Sequence, residues 1–146
     1  MITPAKGGVI MDVGWHDRGV PPRRRTDPRL GRAALARWLA DPAGAARDDV
    51  AAAVRWSLEE LAGRYPGNTC EVRVPPFGVT QCLPGPRHTR GTPPNVVETD
   101  AATWLALVTG RLDWAAARAA GAVSASGERA DLSDLLPLVP PPPFPS

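Results

Sequence analysis

The chain has one lysine (Lys6), two cysteines, two histidines and eight aromatic residues in 146, and no apolar run near the 18 residues that a membrane-spanning helix needs. Residues 1–11 include Ile2, Val9 and Ile10 but lack the apolar stretch of a signal peptide. Two cysteines cannot build a disulfide framework, so the expectation is a cytoplasmic protein with reduced thiols. Cys70 and Cys82, with His16 and His88 far away in sequence, do not supply the paired C-x2-C spacing of a metal site. No cofactor is expected. Charge of one sign is also missing. Seventeen basic residues face fifteen acidic ones, a net charge of +2, which gives little reason to expect nucleic acid or another polyanion as partner. The triplet Arg23, Arg24, Arg25 has neither a stacking platform nor a recognition helix beside it, and reads as a solvated tail.

What is present in excess is proline, 18 residues, and glycine, 14. Both concentrate at the ends and in one internal stretch. Residues 1–28 show no sustained period and read as a flexible leader, with Met11 as a second start position inside it. Pro140–Pro143, followed by Phe144, Pro145 and Ser146, forms a proline-rich tail over 140–146, since proline removes the backbone donor that helix and sheet require. Between them, residues 29–139 are long enough for one domain with its own core.

Within that domain the apolar positions Leu30, Ala34, Leu35, Trp38 and Leu39 recur at helical spacing, with Asp27-Pro28 as start and Asp41-Pro42 as stop. A longer helix is expected over about 45–64, with Val50, Val54, Leu58 and Leu61 on one stripe and Asp48 and Asp49 at its positive end. Trp56 falls opposite that stripe and needs a second cover, for which the preceding helix is the candidate. The period then changes to two. Cys70, Val72 and Val74 alternate with Glu71 and Arg73, and a second strand over 78–83 follows Pro75-Pro76-Phe77. Folded symmetrically about Pro76, this hairpin sets Cys70 opposite Cys82. That arrangement suits either a redox pair or two small buried hydrophobes, and the second reading is adopted.

Residues 84–94 read as a loop, 95–99 as a strand, and Asp100 as the cap of a helix carrying Trp104, Leu105 and Val108 to Gly110. Asp113 caps a short helix through Trp114 to Gly121, residues 122–126 form the last strand, and a helix of Leu132, Leu135 and Leu136 is expected to close the core. Helices, hairpin, strand, two helices, strand and helix make an α+β order.

The run Asn95-Val-Val-Glu-Thr-Asp100, then Trp104-Leu-Ala-Leu-Val-Thr-Gly110, Arg111-Leu-Asp113 and Val123-Ser-Ala-Ser-Gly127 resembles the sterol carrier protein (type two) superfamily. It looks most like the actinobacterial "bacterial sterol carrier protein orthologue" domain. The likeness covers residues 95–139 well and 45–83 in outline. It implies a mostly antiparallel sheet of four to five strands, helices on one side, and an apolar cavity between them for a fatty acyl chain or sterol-like lipid. Carried over by position, Trp104, Leu105, Val108, Trp114, Leu132, Leu135 and Leu136 are the candidate lipid wall. Two departures stand out: 84–94 replaces the middle strand of the family, and Pro137 with Pro140 shortens the closing helix.

The expected function is non-catalytic binding or transfer of an apolar ligand. The alternative is a protein-interaction or accessory module with a filled core, similar to domains that accompany mycothiol-dependent maleylpyruvate isomerases. A candidate interaction loop holds Arg87, His88 and Arg90. His88 could serve as a base and the arginines could hold a carboxylate or phosphate. Without a nucleophile or metal beside it, His88 is not read as catalytic and no enzyme is expected.

Overall fold

The computed structural model describes residues 25–85 and 95–139; the tail 140–146 and most of the leader lie outside the described residues. Eight elements follow in order: α1 (Pro28–Ala40), α2 (Arg47–Arg64), β1 (Cys70–Val74), β2 (Gly78–Cys82), β3 (Val96–Thr99), α3 (Ala101–Val108), α4 (Trp114–Ala119) and β4 (Val123–Ser126). Each sits within two residues of where periodicity and capping put it. Asp27 caps α1 by accepting the Arg29 N–H at 2.9 Å, and Pro28 opens the helix with its preset φ. Anchoring of the chain begins ahead of the expected boundary at residue 29, because the Arg25 and Thr26 N–H groups donate to the Glu59 carboxylate at 3.2 and 3.1 Å.

The central helix is α2, and it is buried almost all round. Val54, Leu58 and Leu61 face inward as their spacing requires, while Trp56, Ala53 and Ala62 are buried as well. The cover for Trp56 is α1. Gly31 lies so close that a Cβ there would meet the Trp56 Cβ at 2.3 Å, and the Arg32 guanidinium stands 5.8 Å over the indole ring. Glycine at 31 thus sets how near the two helices approach. Arg37 of α1 pairs with Asp49 of α2 at 2.8 Å, and this hydrogen bond holds the Asp49 carboxyl below the usual carboxylate range.

The described strands form one sheet in the order β2-β1-β3-β4. The β1–β2 and β3–β4 pairs are antiparallel and β1–β3 is parallel. The hairpin folds symmetrically about Pro76, with the Phe77 N–H donating to Val74 O at 2.9 Å, and it sets Cys70 opposite Cys82. Both thiols are unbridged and fully buried. Strand β2 ends at Cys82, one residue before the expected end, because Leu83 turns out of the strand at φ 73 and gives its N–H to Tyr65 O. One face of the sheet, with Val72, Val74 and Val97, meets the helices. The other carries Glu71, Arg73, Gln81, Glu98, Ser124 and Ser126.

Asn95 clamps the start of β3: its Nδ2 donates to Thr69 O at 2.9 Å and its Oδ1 accepts the Arg129 N–H at 2.8 Å. Asp100 and Asp113 cap α3 and α4 by accepting the Thr103 and Ala116 N–H groups.

The closing helix is not formed. Residues 132–136 make a single turn, Leu135 and Leu136 both donating to Leu132 O, and the chain then bends at 138–139, where the Leu138 and Val139 N–H groups both reach Val108 O at 3.0 Å. Pro137 explains the stop, since it has no N–H to continue the ladder and disfavours helical geometry at Leu136. Ahead of the turn, the Ser133 N–H donates to the Asp131 carboxylate at 2.9 Å, which holds that carboxyl below its ordinary range.

Candidate functional site

The seven residues marked as a lipid wall fall into two groups. Trp104, Leu105, Val108 and Leu132 are each 0% exposed and belong to the continuous core, together with Leu61, Val54, Val72 and Val97. Trp114, 7% exposed, is buried in the same core, and Leu135 and Leu136 are half-buried against it. A hollow able to house a hydrocarbon chain would admit a water-sized sphere and leave its wall exposed to it. The first group leaves no such surface, so these side chains touch one another rather than an empty space.

The one polar atom of Trp104 is satisfied from within. Its indole Nε1–H donates to Ser57 Oγ at 2.8 Å, and the Ser57 hydroxyl donates onward to Val54 O at 2.9 Å. All three groups sit in the core between α2 and α3, where a hydrogen bond is hard to replace from solvent. This chain of bonds fixes the indole in place, and Ser57 was not singled out from sequence. Its signal was available: a serine on the same face as Val54 and Leu61, where only apolar residues are otherwise found.

The interaction-loop candidates Arg87, His88 and Arg90 lie outside the described residues. Asn95, which borders them in sequence, is a structural clamp. The Cys70–Cys82 pair sits beneath the sheet. A hydrogen bond that the Cys82 thiol donates to the facing Cys70, and then burial, push the Cys82 thiol far up, so it is a poor thiolate. Among the described residues no three His, Cys, Asp or Glu side chains gather as a metal site, and no helix is long and apolar enough to cross a membrane.

Among the described residues, open space lies on the outside at the β2 edge. On the helix side a groove of about 540 Å3 runs between α2 and β2, with Leu58 and Phe77 beneath and Arg25, Arg55 and Glu59 around the mouth. Gly78 keeps it open, since a Cβ there would touch Leu58 Cδ1 at 3.0 Å. On the opposite face a hollow of about 600 Å3 is bounded by Arg73, Pro75, Pro76 and Glu98. Val79, 60% exposed, borders both. Arg55 Nε donates to Phe77 O at 3.3 Å, and the Arg47 guanidinium lies 4.9 Å over the Phe77 ring.

No curated protein matches this chain. The family described as bacterial SCP ortholog, SCP standing for sterol carrier protein, matches residues 46–138. That span runs from the residue before α2 to the closing segment and includes the four described strands, α3 and α4. The helix-backed sheet and the match over more than half of the sequence establish that the chain belongs to the bacterial sterol carrier protein ortholog family.

Proposed function

We propose that this chain is a non-catalytic accessory or interaction module of the sterol carrier type, with a filled interior and its binding surface on the outside. The observation that supports this reading is the closure of Trp104, Leu105, Val108 and Leu132, each 0% exposed at the place where a lipid chamber would need walls. A packed interior of this kind has no room for a guest without parting α3 from α2, and parting them breaks the Trp104–Ser57 hydrogen bond. A cytoplasmic location goes with this reading, supported by two unbridged, buried thiols.

The test is native mass spectrometry of protein purified without detergent, combined with displacement of a fluorescent fatty acid. The expected result is the bare mass of the chain and no saturable displacement. One lipid per chain, lost in Leu105→Asp while the far-ultraviolet spectrum is retained, would replace this reading with a carrier. Turnover that disappears with His88→Ala would replace it with an enzyme.

A further inference from the structure

Strand β2 is at the edge of the sheet, and the hydrogen-bond pattern tells which of its backbone groups face outward. The Glu71 N–H donates to Asn95 O at 2.9 Å, on the β3 side of β1. Successive residues in a strand direct their main-chain groups to alternate sides, so Cys70, Val72 and Val74 address β2. Their partners Cys82, Thr80 and Gly78 bond back. Val79 and Gln81 therefore present their N–H and C=O groups away from the sheet, and among the described residues β2 pairs with β1 alone.

Edges of this kind are usually blunted by a charged residue, a proline or a bulge, because they template pairing with another chain. Strand β2, Gly78-Val-Thr-Gln-Cys82, contains neither charge nor proline. On both sides of this edge the surface is hollowed, by the groove against α2 and by the hollow beside Arg73 and Pro76. Side chains of an added strand alternate between the two faces. A strand laid along Val79 and Gln81 would drop one set of side chains onto Leu58 and Phe77 and the other onto Val79 and Pro76.

The charge at the groove decides the chemistry of that strand. Arg25 and Arg55 line its mouth, Arg47 lies over the Phe77 ring beside it, and none of the three has a carboxylate partner among the described residues. The one acid present, Glu59, already accepts the Arg25 and Thr26 N–H groups. A guanidinium in a partly enclosed groove is best satisfied by a carboxylate.

We propose that the β2 edge is a docking site for an extended acidic segment of a partner protein, which adds to the sheet as a fifth strand and places its carboxylates on Arg25 and Arg55. This inference rests on the reading of the chain as an interaction module and names the kind of partner. Main-chain bonds to Val79 and Gln81 supply affinity, and the arginines of the helix-side groove supply selectivity.

The full chain is titrated by fluorescence anisotropy into a labelled, end-capped eight-residue peptide in which glutamate and valine alternate. Saturable binding is expected. It should weaken about tenfold in Arg55→Gln and again in Arg25→Gln, and should fall with added salt. Lysine in place of glutamate should abolish it. Val79→Pro is the decisive variant, because it deletes an N–H that faces outward and leaves the β1–β2 ladder intact. Binding should be lost there while the melting temperature is held within a few degrees, and Gln81→Pro serves the same purpose if the first variant does not fold. No binding up to millimolar peptide, or binding indifferent to both prolines, overturns the proposal. A concentration-dependent dimer in sedimentation that Val79→Pro dissolves also overturns it, by giving the edge to a second copy. Fatty-acid displacement on the same sample separates the two readings, since lipid uptake refutes the filled interior whatever the peptide does, and absent peptide binding without lipid uptake refutes the docking edge alone.

Discussion

Replacement of Leu105 by alanine distinguishes a packed interior from a chamber by energy alone. Leu105 is 0% exposed on α3, within the cluster that joins α2, α3 and the sheet. Truncation of such a leucine removes the transfer free energy of its methyl groups and adds about 24 cal/mol for each Å3 of cavity that neighbours cannot refill, for a total of roughly 3–4 kcal/mol. That is a large share of the roughly 5–15 kcal/mol that holds a domain of this size together. At about 4 °C per kcal/mol, the midpoint of thermal unfolding should fall by roughly 12–16 °C. Leu30→Ala is the control, since Leu30 is 64% exposed and its truncation should cost less than about 0.5 kcal/mol. Urea denaturation monitored by tryptophan fluorescence gives both values. The new cavity should also be dry and apolar, so benzene should raise the melting temperature of Leu105→Ala and leave the wild type unchanged. A loss at Leu105 below about 1 kcal/mol, or benzene stabilisation of the wild type, would mean that this side chain already faces a hollow, and the argument for a filled core would fail.

Three further outcomes follow from the same geometry. In a double-mutant cycle, Trp104→Phe and Ser57→Ala should be coupled by about 1 kcal/mol, the net worth of one buried hydrogen bond, whereas additive losses would place the 2.8 Å contact outside the energetics. By carbon-detected NMR, the Asp49 carboxyl should titrate below the ordinary range and return to it in Arg37→Gln. Because its folded value is depressed, the pair supports folding above the unfolded-state value and loses that support as pH falls through the folded one. Cys70 and Cys82 should be inert to a chromogenic disulfide reagent in native protein and should both react in denaturant. Rapid native reaction would contradict their full burial.

Local chemistry made much of the fold legible. Asp27-Pro28, Asp100 and Asp113 each combine a side-chain acceptor with a following apolar period, so helix starts were readable to within two residues. The pairing of Cys70 with Cys82 follows from the centre of the turn and a period of two, both local quantities. The cover over Trp56 followed from angular position on α2. The last helix failed for an equally local reason. Leu132, Leu135 and Leu136 have helical spacing, but Pro137 leaves room for only one turn, and the next donors go to Val108 O instead. The groove at the β2 edge was not legible, because Arg25, Arg55 and Phe77 come from three separate segments and meet only when β2 takes the outside of the sheet.

From its sequence alone, this protein is determined to be an α+β domain with capped helices, a proline-turned hairpin and the element order of a sterol carrier relative, because caps, turns and periodicity act over a few residues. Tertiary structure alone decided that, among the described residues, Trp104, Leu105, Val108 and Leu132 pack without exposed surface and that a groove lies along an edge strand. The same alanines, leucines and indoles can wall a chamber or fill it, and the outcome depends on how closely α2, α3 and the sheet approach, which is set by contacts such as Trp104 with Ser57 across 47 residues of chain.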